Sequence, residues 1–190
     1  FYITVLMKLS TNMTSVFFVL MTALSLVFYA PVTILAKKFG KKKVVFTAFM
    51  CFSLTFAATV FAGKGFFSGT VCGIIISVMA SIPMAALGIL PQAVVADIAE
   101  CDAIKTGENR EGMFYAARTF AFKLGQSVAM LLFTGLALID KTTGAGYRVS
   151  AAVAAVLCLL GGLAFLRYHE KDVIAVISKN DKKDVNVTEV

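Results

Sequence analysis

Five runs of mostly apolar residues, each long enough to cross a bilayer, place the strongest constraint on how this chain can fold. A transmembrane helix needs about 20 such residues. We predict spans at about 12–36, 44–62, 68–96, 113–139 and 147–166. Because the bilayer interior offers no water to backbone polar groups, each span is expected to be helical. The sequence therefore predicts an all-α membrane protein with five transmembrane helices.

The composition agrees with a membrane protein and argues against a soluble one. Hydrophobic residues make up 59% of the chain and charged residues 15%, whereas soluble domains are about half apolar and a quarter charged. The net charge of +7 comes from lysines beside the spans, as the positive-inside rule describes. No basic stripe with interleaved aromatic residues is present, so nucleic-acid binding is not expected.

The distribution of cations predicts the orientation in the membrane. Cytoplasmic loops carry an excess of Lys and Arg. We assign to the cytoplasmic side the tail cations and Lys37, Lys38, Lys41, Lys42, Lys43, Lys105 and Arg110. The outer side then carries Lys8, Lys64, Lys141 and Arg148. We thus predict a multi-pass protein of the plasma or inner membrane, with a bundle at 12–168 and a cytoplasmic tail at 169–190.

The cysteines and the single histidine do not suggest a metal site, a disulfide or a catalytic centre. Cys51, Cys72 and Cys158 lie within predicted spans, and Cys101 lies among charges expected on the reducing cytoplasmic side, so free thiols are expected. His169 follows the end of a span, and the sequence has no clustered His and Cys ligands. A hydrolase would need a nucleophile beside a histidine or a metal, so we do not expect an enzyme.

The third span combines small residues with potential helix breakers. Small side chains recur at every fourth position, at Gly69, Gly73, Ser77, Ser81 and Ala85. This spacing favours close packing against a neighbouring helix; a substrate-lining face is the alternative. Pro83, Gly88 and Pro91 are expected to interrupt the second half of this span. Interrupted helices often mark moving or ligand-facing segments in transporters.

A dense mixture of acidic and basic residues follows the third span, at about 97–112. Asp97 and Glu100 are three residues apart, so they share a face if the helix continues. Gly107 permits a chain reversal that would bring Arg110 back against Asp97 or Glu100. Such pairs could form a gate at the mouth of the bundle. The alternative is a solvated loop with loose ion pairs of little energetic value.

Two cations lie inside the fourth predicted span. Lys123 is ten residues into the span, about 15 Å along a helix. A charge at that depth is costly, so its ammonium is expected to face a polar cavity, near a carboxylate or a substrate hydroxyl. Arg118 is closer to the end of the span and could extend its side chain to the membrane surface.

These charged residues carry a family resemblance. The segment VADIAECDAIKTGENREGMFYAARTFAFKLGQ resembles the loop between helices ten and eleven of the glycoside–pentoside–hexuronide:cation symporters, the melibiose-carrier-like branch of the major facilitator superfamily. The residues that match are Asp97, Lys105, Thr106, Gly107, Arg110, Glu111, Gly112, Lys123, Leu124 and Gly125. The segment PVTILAKKFGKKK resembles the basic loop between helices eight and nine of the superfamily.

The resemblance implies a twelve-helix transporter in which two six-helix halves move around a central site. The five spans would be helices eight to twelve, and 1–11 would hold the end of helix seven and an outer loop. Such proteins couple sugar or glycoside transport to Na⁺ or H⁺ and need no bound cofactor. The expected partners are membrane lipid, a small sugar or glycoside, and the N-terminal half of the same transporter. That half, absent from this sequence, would supply most of the cation ligands.

The resemblance also suggests roles for individual residues. The substrate and cation cavity would include Lys123, Gly88, Gln92, Arg118 and Gln126. The cytoplasmic gate would include Asp97, Glu100, Asp102, Lys105, Arg110 and Glu111. Cys101 stands where the family often has Tyr, and Gly88 stands where some sugar-transporting members have an aromatic residue. The alternatives are a major facilitator carrier for another solute, such as a lipid or drug, and a membrane scaffold that does not transport.

Overall fold

The computed structural model describes residues 11–61, 69–138 and 145–188. Those residues form helices and no strands. The helices are α1 (Thr11–Phe39), α2 (Lys41–Phe61), α3 (Gly69–Thr106), α4 (Glu111–Ala137), α5 (Ala145–Phe165) and α6 (Glu170–Thr188). The segment 1–11, predicted to hold the end of helix seven and an outer loop, lies outside the described residues except for Thr11, and Lys64 and Lys141 also lie outside them. The predicted all-α fold is confirmed.

Helices α1 to α5 are long and apolar enough to cross a membrane, as the hydropathy pattern predicts. Between α1 and α2 only Gly40 is not helical. Its φ of 93° lies in the left-handed region that glycine enters at little cost. Its N–H donates to the Ala36 carbonyl at 3.0 Å, which closes the last turn of α1. The lysine cluster therefore lies on the last turn of α1 and the first turn of α2, which only Gly40 separates.

Helix α3 contradicts two expectations. It is continuous through Pro83, Gly88 and Pro91, so the predicted interruption is wrong. A proline in a membrane helix is tolerated where neighbouring helices stabilise the segment, and Pro83 is fully buried. The helix also continues ten residues beyond the expected end at Ala96, to Thr106. The predicted charged loop thus shrinks to residues 107–110.

The length of α3 explains where its charges lie. Its 38 residues span about 57 Å, whereas the hydrocarbon core of a bilayer is about 30 Å thick. The charged last turns can therefore stay helical outside the membrane, where Asp, Glu and Lys meet water. Gly107, with a φ of 74°, follows the helix directly in the left-handed conformation that commonly ends helices.

The core lies where α1, α2 and α3 meet, while α2 also packs along α5. The small-residue face of α3 lies inside this packing: Ser77, Ser81 and Ala85 are buried. A Cβ added to Gly73 would come within 2.7 Å of the Phe17 ring. Packing is therefore confirmed as the role of this face.

Helices α4 and α6 lie at the margin of the bundle. Helix α4 touches α3 and α5 but has no buried residue, so its apolar side chains, such as Met130 and Leu131, are exposed. Helix α6 follows α5 after a short turn and packs against α3. The predicted cytoplasmic tail therefore contains a helix that packs against α3.

Candidate functional site

The charged residues converge at one end of the bundle, which we call the lysine-rich end: the last turn of α1, the first turn of α2 and the charged end of α3. The Nζ of Lys41 lies 2.6 and 2.8 Å from the two carboxylate oxygens of Asp97. The side chains are 29% and 18% exposed. The pair joins the first residue of α2 to α3. The acidic stretch and the lysine cluster therefore lie on the same side, as predicted.

A second carboxylate completes this arrangement. Glu170, the first residue of α6, accepts hydrogen bonds from the backbone N–H groups of Lys41 at 2.6 Å and Lys42 at 2.9 Å. These N–H groups belong to the first turn of α2, which has no partners within its own helix. A carboxylate is also favoured there by the partial positive charge of a helix N-terminus. We call Lys41, Asp97 and Glu170 the clamp, because together they connect α2, α3 and α6.

Sequence reasoning did not single out Glu170 or the specific role of Lys41. Lys41 appeared as one of five similar lysines, and no site was assigned to the tail. The contacts join residues separated by 129 and 56 positions, so no local spacing marks them. An acidic residue in the first turn of a helix is favourable in any case. The sequence therefore gives no sign that Glu170 also binds the N-terminus of α2.

Tyr168 lies beside the clamp, in the turn before α6. Its hydroxyl oxygen is buried and has no hydrogen-bond partner among the described residues. Burial, followed by the negative charges of Asp97, Glu170 and Cys101, raises the pKa of Tyr168 to about 12. The phenol therefore stays protonated at physiological pH and provides an unused donor next to two carboxylates.

The predicted pairing of Arg110 with Asp97 or Glu100 is wrong. Arg110 instead binds the carboxylate of Glu108, at 2.6 Å, and both side chains are exposed. The reason is the extra length of α3. Asp97 lies nine residues before Thr106, about 14 Å back along the helix, and the four-residue loop does not turn back that far. An exposed pair of this kind contributes little stability.

Of the other predicted gate residues, only Glu100 shares a cavity with the clamp. Glu100 is exposed and lines, with Lys41, Asp97 and Ser178, a small cavity of about 240 Å³. Asp102 is partly exposed, and Lys105 and Glu111 are exposed. Within the described part of the chain, these four predicted gate residues form no side-chain ion pair.

The predicted cavity residues lie on two helices. Lys123 and Gln126, on α4, line an open depression of about 860 Å³. Lys123 is exposed, and its ammonium makes no hydrogen bond to the described residues. The helices of this chain therefore do not bury it. Gly88 lies on α3 toward α1, where an added Cβ would be 3.5 Å from the Tyr29 hydroxyl.

The remaining two predicted cavity residues are accessible. Gln92, on α3, is exposed, and Arg118, on α4, is partly exposed. Among the described residues, no group of three or more His, Cys, Asp or Glu side chains could hold a metal ion.

The family of this chain follows from its similarity to known proteins. The family model described as MFS/sugar transport protein matches residues 1–168. No curated protein and no solved structure gives a significant match. The match covers all five apolar helices and ends just before α6. The match supports membership of the major facilitator superfamily. It does not assign the chain to the melibiose-carrier-like branch. The chain is an integral membrane protein and belongs to the MFS/sugar transport protein family of the major facilitator superfamily.

Proposed function

We propose that this chain is the C-terminal part of a secondary active transporter that couples the movement of a sugar or glycoside to Na⁺ or H⁺ by alternating access. The family match supports a sugar transporter. The resemblance of the segment at 95–126 to melibiose-carrier-like symporters supports coupling to a cation. The residues that would act in transport fall into two groups, one at the lysine-rich end and one on α3 and α4.

The clamp is the main structural support for a gate at the lysine-rich end. In alternating access, one end of the transporter closes while the other opens, and the states differ by a few kcal/mol. A hydrogen bond to a charged group contributes about 1.5–3 kcal/mol. A half-buried pair between Lys41 and Asp97 is therefore strong enough to bias such an equilibrium, and weak enough to break during a cycle.

We place the lysine-rich end in the cytoplasm of a plasma or inner membrane, so that the clamp belongs to the cytoplasmic gate. The five lysines at the ends of α1 and α2 support this orientation through the positive-inside rule. The remaining predicted gate residues would contribute as partly or fully exposed partners for the other half of the transporter when this end closes: Glu100, Asp102, Lys105, Arg110 and Glu111.

We assign the substrate and cation cavity to one face of α4 together with α3. Thr119, Lys123, Gln126 and Ser127 recur at three- and four-residue spacings, which places them along one side of the helix. Helix α4 has no buried residue, so this side is available to an N-terminal half. An ammonium inside a span requires a polar partner, and a sugar hydroxyl or a carboxylate of that half would supply it. We also assign Arg118, Gly88 and Gln92 to the cavity lining, as the family resemblance implies.

The test is uptake of radiolabelled sugars by the full-length protein in proteoliposomes, under an imposed Na⁺ or H⁺ gradient. We expect gradient-driven uptake by the wild type and at least a tenfold loss in Lys123→Ala, since one lost charged hydrogen bond costs about 1.5–3 kcal/mol. The matched control is Val128→Ala, which alters an exposed residue of α4 away from the polar side.

Three results would contradict parts of the proposal. Unchanged coupled uptake in Lys123→Ala would remove this residue from the mechanism. Sugar uptake that ignores both gradients would indicate an uncoupled carrier. An equal loss in Val128→Ala would contradict a specific role for the Lys123 ammonium, because truncation of a residue on the other side of α4 would then have the same effect.

A further inference from the structure

A groove of about 1110 Å³ opens at the lysine-rich end, between the last turn of α1, the first turns of α2 and the start of α6. One part of its wall is charged, and the other is apolar. Its basic lining residues are Lys38, Lys42, Lys43, Lys171 and His169. Its larger apolar lining residues are Phe39, Phe46, Leu166 and Ile174. The groove is separate from the cavity proposed for sugar.

The charges of the groove are not balanced. Four lysines face two carboxylates, Glu170 and Asp172. The Glu170 carboxylate is already engaged by two backbone N–H groups of α2. Among the described residues, none of the four lysines has a carboxylate within ion-pair distance. The groove therefore carries a net positive charge that an anion would neutralise.

The apolar wall indicates what kind of anion fits. Phe39 ends α1, Leu166 follows the last residue of α5, and Ile174 lies in the second turn of α6; all three are exposed. The groove thus lies where spans end, at the level of the membrane surface. A small soluble anion would satisfy the lysines and leave this apolar wall in water. A phospholipid satisfies both parts, and basic pockets of this type bind anionic lipid headgroups.

We infer that an anionic glycerophospholipid binds in this groove. Its phosphate lies among Lys38, Lys42 and Lys43, and the upper part of an acyl chain lies along Phe46, Leu166 and Ile174. Because residues of both α2 and α6 line the groove, the bound lipid bridges these two helices next to the clamp. This inference does not depend on the transported solute.

Residues 1–190 contain no tryptophan, so single tryptophan probes can be placed in them, in a full-length background whose other tryptophans are replaced by phenylalanine. Phe39→Trp places a fluorophore in the groove of the full-length protein, and Leu54→Trp places one on an exposed part of α2 that does not line it. Each variant is reconstituted in nanodiscs that contain brominated phosphatidylglycerol or brominated phosphatidylcholine at equal mole fraction. Bromine quenches tryptophan at short range. We expect the anionic lipid to quench the groove position preferentially, and both lipids to quench position 54 equally.

Lysine variants then identify the headgroup contact. Lys42→Gln with Lys43→Gln, made in the Phe39→Trp background, should lower the preference for the anionic lipid about fivefold for each lysine. Lys37→Gln is the matched control, because this lysine belongs to the same cluster and does not line the groove. Lys42→Arg with Lys43→Arg should keep the preference, which separates lost charge from a misfolded groove.

Four results would overturn the inference. Equal quenching of the groove position by both lipids would show that no headgroup is selected. An equal loss in Lys37→Gln would reduce the effect to general surface charge. Relief of quenching by soluble glycerol phosphate would identify a free anion as the occupant. Quenching that depends on the protein-to-lipid ratio would indicate a second copy of the chain.

Discussion

Replacing Asp97 by Asn removes one charge from the clamp while keeping the shape of the side chain. In the wild type, both carboxylate oxygens contact the Lys41 ammonium, at 2.6 and 2.8 Å. Exposed pairs contribute about 0.2–1 kcal/mol, and hydrogen bonds to charged groups about 1.5–3 kcal/mol. With side chains 29% and 18% exposed, this pair lies between the two cases. We expect a loss of about 1–2 kcal/mol, which changes the ratio of closed to open clamp about 5- to 30-fold.

Cys101 provides the assay. It lies on α3, is 5% exposed, and is close enough to Tyr168 to influence the pKa of that phenol. When the clamp opens and α6 moves away, a water-soluble maleimide can reach this thiol. In a background where every other cysteine is replaced by alanine, Asp97→Asn should accelerate alkylation of Cys101 about 5- to 30-fold.

A double-mutant cycle and one control decide the interpretation. Lys41→Gln should accelerate alkylation to a similar extent, and the double variant should add little, because both changes break the same contact. Glu108→Gln breaks the exposed pair with Arg110 and should leave the rate unchanged. Additive effects of the two clamp variants, or an unchanged rate in Asp97→Asn, would refute the role of this pair.

Three further predictions concern the surroundings of the clamp. Glu170→Ala removes the carboxylate that caps α2, and since such caps contribute about 0.5–2 kcal/mol, alkylation of Cys101 should accelerate about 2- to 30-fold; no change would mean that the cap does not hold α6. The pKa of Tyr168 is raised from 10.0 to about 12, so its neutral form stabilises the folded protein below pH 10 and this contribution is lost as the pH rises toward 12. The ultraviolet difference titration of wild type against Tyr168→Phe should therefore show a phenol with its midpoint near pH 12, and a midpoint near 10 would contradict the burial. Gly40→Ala forces a φ of 93° on a residue with a Cβ, and that Cβ would lie 2.9 Å from Oε2 of Glu170. We expect a loss of stability of at least about 1–2 kcal/mol as a lower thermal aggregation temperature, compared with Gly125→Ala, where nothing lies within 4 Å of the added atom.

Hydropathy predicted the five membrane helices because the bilayer acts on each span separately. It predicted their ends less well. The apolar pattern of the third span stops near Ala96, whereas α3 continues to Thr106, because charged residues such as Glu and Lys form helices readily in water. Hydropathy marks the membrane boundary, and the helix ends where Gly107 permits it. The predictions of a long charged loop and of an Arg110 contact with Asp97 or Glu100 are both wrong because α3 continues past the membrane boundary.

The partners within the clamp could not be predicted from the sequence alone. Asp97 was identified from its charge near the end of a span, since a carboxylate there needs a partner. Five lysines were available as partners, and their local sequences are nearly equivalent. The structure selects Lys41 because Gly40 turns the chain so that the first residue of α2 faces α3. The same turn presents the N–H groups that Glu170 accepts. Three residues far apart in sequence thus depend on one backbone conformation, which is why Gly40→Ala should disturb both clamp contacts together.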